Sequence, residues 1–262
     1  MNKQNYFSEK IINLISENIL NFNIEEIKDF YKSFNEGKTI EISAEKTKNI
    51  YFDFLNNGIV KHKQFDLPYY LDFKKEKTIM IVGMDAKASH EDDSVVVLST
   101  PYYLQSNEGR ETNKNDYWKI IKILSNHYNI FLTDVYKAYF KSTDISNRIP
   151  QYKKNNLHSE ILKQEIKEIK PSAILCWGKD SRTLVAKIVS VKLLGLISKD
   201  SNYPYHCTGG FSDIRLIATP HPSNSTYEKD WISFYNANLS NTPYIKKNRP
   251  VDLANFILNK LE

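Results

Sequence analysis

The sequence predicts an α/β fold: a three-layer α/β/α sandwich around a central, mainly parallel sheet of four to five strands, with a helical N-terminal extension. Short apolar runs at residues 79–82, 130–133, 173–177 and 216–219 predict the strands. Stretches with apolar residues at helical spacing separate them. Strands that are apolar along both faces and alternate with helices belong in a parallel sheet covered on both sides.

The elements follow in order. Phe7, Ile11, Ile12, Leu14, Ile15, Ile19 and Leu20 form one helical stripe. Ile24, Ile27, Phe30, Tyr31 and Phe34 form a second, which Gly37 ends. A third helix is expected over 43–56, stopping near Asn56-Asn57-Gly58. Residues 1–75 carry no chemical motif and are assigned to the extension, packed on an α/β domain of residues 76–262. Residues 95–98 read as a further strand without an assigned place. Helices fit 114–127 (Tyr117, Ile120, Ile121, Leu124), 156–170 (Leu157, Ile161, Leu162, Ile166, Ile169), 179–194 (Leu184, Val185, Ile188, Val189), 227–239 and 251–261. There is no internal repeat or low-complexity tract.

Composition narrows the function. With 41% hydrophobic and 26% charged residues in 262, the chain is ordinary globular material. No apolar run approaches the roughly 18 to 20 residues that span a bilayer, and MNKQNYFSEK lacks the apolar core of a signal peptide. A cytoplasmic monomer without a membrane partner is expected. Cys176 and Cys207 alone supply neither a disulfide framework nor a four-thiolate site, so no iron–sulfur cluster, metal or other cofactor is expected. The net charge of +5, from 36 basic and 31 acidic residues, is compatible with a polyanionic partner. The 17 Tyr and 13 Phe include residues able to stack on bases, although most aromatics serve the core.

Ligands of open α/β sheets bind beyond the carboxyl ends of the strands. The residues there are Gly83-Met84-Asp85, Asp134-Val135-Tyr136-Lys137, Gly178-Lys179-Asp180-Ser181 and Pro220-His221-Pro222-Ser223. Asp85 and Asp134 each also suit a helix N-cap, whose side chain accepts from free N–H groups. Gly178-Lys179-Asp180-Ser181 suits a plain strand-to-helix turn and lacks the upstream glycine of a P-loop. His221 differs, because flanking prolines hold its loop rigid at little entropic cost, which suits a positioned donor. A nucleophile elbow, the zinc deaminase signature, His-Glu-x-x-His and a dinucleotide fingerprint are all missing. The acidic run His90-Glu91-Asp92-Asp93 reads as a solvated loop, since four consecutive side chains do not face one ion.

Taken in order, these residues resemble the uracil-DNA glycosylase superfamily over residues 76–240. Gly83-Met84-Asp85-Ala86-Lys87 is similar to its first motif and His221-Pro222-Ser223 to its last. Thr133-Asp134 and Pro171-Ser172-Ala173-Ile174-Leu175-Cys176-Trp177-Gly178 are similar to the segments between. The resemblance implies a monofunctional DNA glycosylase acting on a base flipped out of the strand. Asp85 would stabilise the cationic sugar and position a water, and His221 would donate to the leaving base. It further implies base contacts from Met84, Lys87, Asp134, Tyr102 and Tyr103, and phosphate contacts from Ser89, Lys179, Ser181 and Ser223.

Departures from the family pattern sharpen the substrate. Asp134 stands where the uracil-specific branch has an asparagine. A carboxylate only accepts hydrogen bonds, so it disfavours O4 of uracil and suits N4 of cytosine. Lys87 replaces a tyrosine that crowds C5. A C5-modified cytosine of foreign (phage) DNA is the substrate these changes imply, with a defence role as the corollary. Asn224 follows His-Pro-Ser where the family has the start of its wedge, which leaves duplex invasion open. Uracil excision in repair, a non-catalytic nucleic-acid binder and a hydrolase of free nucleosides are the competing readings.

Overall fold

The computed structural model describes residues 9–48, 64–85, 95–111, 116–138, 156–191, 205–222, 228–239 and 241–262. The helices are α1 (Glu9–Asn18), α2 (Ile24–Asn35), α3 (Asn107–Glu111), α4 (Asp116–Leu124), α5 (Leu157–Ile169), α6 (Lys179–Ile188), α7 (Glu228–Asn238) and α8 (Arg249–Leu261). The strands are β1 (Ile40–Ile42), β2 (Gln64–Asp66), β3 (Tyr69–Leu71), β4 (Thr78–Asp85), β5 (Val96–Ser99), β6 (Asn129–Tyr136), β7 (Ala173–Trp177), β8 (Tyr205–His206) and β9 (Arg215–Thr219). The α/β class predicted from the sequence is the class observed. The chain divides into two compact units of interleaved segments. One holds Met1–Tyr70, Asp85–Gly109 and Thr133–Glu168; the other holds Leu71–Met84, Arg110–Leu132 and Ile169–Glu262.

In the first unit α1 and α2 pack together and bury Ile11, Ile12, Ile15, Ile27 and Phe34. A capping box starts α2: the Asn23 side chain accepts from the Glu26 N–H, and the Glu26 carboxylate accepts from the Asn23 N–H. Two donors that the helix leaves unpaired are thereby satisfied. Tyr31 donates its hydroxyl to the Pro68 carbonyl at 2.8 Å, tying α2 to the segment before β3.

The predicted third helix does not form where the chain is described. Residues 44–46 make one 3-10 turn, and 49–56 lie outside the described residues. The Thr47 N–H and hydroxyl both donate to the Ala44 carbonyl, at 2.9 and 2.6 Å, and Thr47 pairs with Leu20 as an antiparallel bridge. Those bonds end the turn and return the chain to an extended course. Among the described residues of the N-terminal segment the α-helices are α1 and α2. The segment then supplies β1 and β2 to a three-stranded sheet of order β1-β5-β2, antiparallel on the β1 side and parallel on the β2 side. This sheet is the place of the strand read at 95–98.

The larger sheet has the order β3-β6-β4-β7-β9-β8 and six strands, where four to five were expected. The additions, β3 and β8, are three and two residues long, too short for side-chain periodicity to register. Strands β4, β7 and β9 are parallel, and β8 runs antiparallel to β9. Ile79, Met80, Ile81 and Val82 are fully buried, as are Ala173 through Cys176, which fits strands covered on both faces.

Side chains fix the approach to β4. The Asn129 side-chain oxygen accepts from the N–H groups of Phe73 and Lys75, and its amide donates to the Lys75 carbonyl at 2.7 Å. Helix α6 packs on β7 and β9, and α4 packs along α8. The α4–α8 contact is locked by Asp116, whose Oδ2 accepts from Nη2 of the buried Arg249 at 2.9 Å. That guanidinium also lies 4.9 Å from the centre of the Trp231 ring.

Candidate functional site

The parallel register aligns the ends of three strands. Val82 stands beside Cys176, and Cys176 beside Ala218. Gly83-Met84 of β4 and the segments Trp177-Gly178 and Thr219-Pro220-His221 consequently lie toward one end of the sheet, the end at which ligands of parallel sheets bind. The ladder extends one step further, because the Gly178 N–H donates to the Thr219 carbonyl at 3.0 Å.

His221 sits at this end, half-buried, and the Pro222 that follows it is buried. Its Nδ1 lies 3.3 Å from the hydroxyl of Tyr117, and the two rings meet edge to face with centroids 5.6 Å apart. Tyr117 in turn packs on Trp177, centroid to centroid 5.1 Å. Gly178 lies close to the ring. Its φ of +94° belongs to backbone that side chains rarely adopt, and a Cβ placed there would lie 3.6 Å from His221 Cβ and 3.7 Å from Cδ2. The Tyr117 phenol abuts the imidazole. Sequence reasoning missed Tyr117, reading it only as an apolar position of α4. The available signal was a hydroxyl-bearing aromatic where periodicity asks only for bulk.

The other predicted residues are placed as follows. Asp85 is the last residue of β4 and Lys179 the first of α6; their side chains lie outside the described residues, as do Lys87, Ser89, the run His90-Glu91-Asp92-Asp93, Ser223 and Asn224. Met84 is half-buried. Ser181 requires a correction: it is fully buried and donates its hydroxyl to the Trp177 carbonyl at 2.8 Å. Sealed in that way it serves the start of α6 and is not a phosphate ligand. Asp134 also sits differently from the expectation. Strand β6 does not stop at Thr133 but runs on to Tyr136, so Asp134 lies within the strand at 2% exposure.

Tyr102 and Tyr103 are half-buried in the first unit, with φ of 61° and 57°. Such left-handed conformations cost about 1–3 kcal/mol at non-glycine residues and persist only where the surroundings enforce them. Gly109 contributes to that enforcement: a Cβ there would lie 1.8 Å from the Tyr103 carbonyl oxygen, so only a glycine fits under the turn.

A second feature unread from the sequence is a buried charge cluster in the first unit. The Lys137 ammonium meets Thr133 Oγ1, the Asp134 carbonyl at 2.8 Å and the Glu165 carboxylate, while the Thr133 hydroxyl donates to Glu165 Oε2 at 2.8 Å. Beside it His158 is buried edge to face against Tyr136. Burial, with the Lys137 charge nearby, pushes its pKa down to about 3, so the ring is neutral at physiological pH. Burial likewise raises the Cys176 thiol well above its ordinary range and keeps it protonated and unreactive.

Among the described residues no group of three or more His, Cys, Asp or Glu side chains is arranged to hold a metal ion, and no helix is long and apolar enough to cross a membrane. No protein-family model matches the chain, and no curated protein matches it in sequence.

Proposed function

We propose that the protein is a DNA glycosylase that hydrolyses the N-glycosidic bond of a flipped-out base, with a C5-modified cytosine as the substrate class. The observation that carries this reading is the setting of His221: it stands between two prolines just past the carboxyl end of a parallel strand, with the imidazole against the Tyr117 hydroxyl. In N-glycoside hydrolysis positive charge develops on the sugar and negative charge on the departing base. A fixed hydrogen-bond donor at the base and a carboxylate at the sugar answer those two needs.

In this mechanism His221 donates to the carbonyl oxygen of the leaving base. Asp85, ending β4, stabilises the sugar cation and orients the water. The C1′–N1 bond breaks with its electron pair passing to the base. Water then adds its oxygen to C1′ and loses one proton, and the base leaves protonated. Asp134 and Lys87 select the base, Tyr102 or Tyr103 stacks on it, and Lys179, Ser89 and Ser223 contact phosphates. The order of these residues along the chain, taken with the α/β fold, supports the assignment.

The test is mass spectrometry of bases released from a panel of uracil-containing, unmodified and C5-modified DNAs. Release of a cytosine derivative, lost in Asp85→Ala and His221→Ala, is the expected result. Folded variants that retain full activity would overturn the site. Failure of the intact protein to release any base while it binds DNA in a salt-dependent manner would assign it as a non-catalytic binder.

A further inference from the structure

We infer that Tyr117 is a positioning residue that fixes the tautomer of His221, so that a neutral imidazole presents Nε2–H to the ligand. This inference rests on the proposed role of His221 for its catalytic consequence, although the tautomer itself is a property of the free protein. A neutral imidazole has one donor and one acceptor nitrogen, and the partner of one nitrogen decides the state of the other. The Tyr117 hydroxyl is 3.3 Å from Nδ1. A phenol is a stronger hydrogen-bond donor than a neutral imidazole N–H, so the hydroxyl donates and Nδ1 accepts. The proton of the ring is thereby assigned to Nε2.

The phenol is itself held in place. Its ring packs on the buried Trp177 of β7 at 5.1 Å. One residue before it, Asp116 is tied to Arg249 of α8 at 2.9 Å. Gly178 lies beside the ring, where a Cβ would stand in ordinary contact with His221 Cβ and Cδ2. A donor aimed by packing and an ion pair costs no reorganisation when charge develops on the ligand. Tyr117 would act on the base only through His221, without touching it.

The experiment is long-range proton–nitrogen correlation NMR on the 15N-labelled protein, with the His221 signals assigned by their loss in His221→Gln. The wild type is expected to show one tautomer, protonated at Nε2 and bare at Nδ1. Tyr117→Phe keeps the ring against Trp177 and is expected to give a mixture of the two tautomers with an unchanged melting temperature. Base release by Tyr117→Phe is expected to fall roughly ten-fold in kcat with little change in KM, since positioning and not ground-state binding is lost. A wild-type ring protonated at Nδ1 overturns the inference, as does a Tyr117→Phe spectrum identical to wild type. The wild-type spectrum alone decides the matter if the variant does not fold. Should no DNA yield a free base, the glycosylase reading fails while the NMR result still judges Tyr117.

Discussion

Lys137 and Glu165 form an ion pair closed to solvent: Nζ lies 2.8 Å from Oε1, with side-chain exposures of 1% and 0%. Neither charge has water to fall back on, so each depends on the other and on the Thr133 hydroxyl and Asp134 carbonyl that complete the shell. Removing one partner strands a buried charge, at a cost of about 3–5 kcal/mol. Glu165→Leu and Lys137→Met are each expected to lower the free energy of unfolding by that amount in urea titrations. The double variant should recover much of the loss, because two apolar side chains need no compensation in a dry interior. Single variants that unfold at the wild-type midpoint would show that water reaches the pair.

The same unit makes stability depend on pH through His158. Its folded pKa, about 3, lies below the unfolded value near 6.5. Between these values the unfolded chain binds the extra proton, so unfolding is favoured as pH falls. The contribution is fully present above about pH 6.5, declines by up to about 1.4 kcal/mol per pH unit below it, and is exhausted near pH 3. His158→Phe, which keeps a ring against Tyr136, is expected to flatten the dependence of stability between pH 7 and pH 5. Equal slopes for wild type and variant in that window would exclude His158 as the acid-sensitive group.

The Gly178 backbone conformation yields a prediction for the second unit. With φ at +94°, an alanine there adopts a backbone state that costs about 1–3 kcal/mol, although its Cβ at 3.6 Å from His221 meets no hard clash. Gly178→Ala is expected to lower stability by that amount. On the proposed reading it also loses base release, since relief of the strain shifts the turn that abuts His221. A variant with reduced stability and undiminished activity would separate the glycine's role in folding from any role at the site.

The parallel strands and their helices were legible because each is long enough to show its period. The apolar runs at 79–82 and 173–177 are buried to the last residue, and α5 and α7 fall within a residue or two of expectation. What escaped depends on partners distant in sequence. Strand β1 exists because β5 pairs with it, Ile42 against Val96, and nothing within residues 40–42 announces that partner. Helix propensity at 43–48 lost to the bonds made by Thr47. At the site, Pro-His-Pro was legible because proline acts locally, whereas Tyr117 meets His221 from 104 residues away. The burial of Asp134 was hidden for a related reason: Val135 and Tyr136 prolong β6, yet Asp134 itself breaks the apolar run by which the strand was recognised.

On the proposed reading, that buried aspartate gives the sharpest test of substrate choice. At 2% exposure Asp134 is withdrawn from bulk water, where a hydrogen bond discriminates best because a mismatched polar group has no solvent to turn to. An ionised carboxylate offers only acceptors, complementary to the N4 amino group of cytosine and repulsive to O4 of uracil. Asn supplies a donor in the same volume. Asp134→Asn is therefore expected to shift the ratio of kcat/KM for cytosine-type over uracil-type bases by about ten- to a hundred-fold toward uracil, on the scale of about 1–3 kcal/mol for one base-edge contact. Competition between two labelled DNAs in one reaction measures the ratio directly and is insensitive to the fraction of active protein. The backbone carbonyl that holds Lys137 is untouched by this substitution, so the buried ion pair remains as an internal control on folding. An unchanged ratio in a variant of wild-type stability would remove Asp134 from the base pocket and leave Asp85 and His221 to be judged by base release alone.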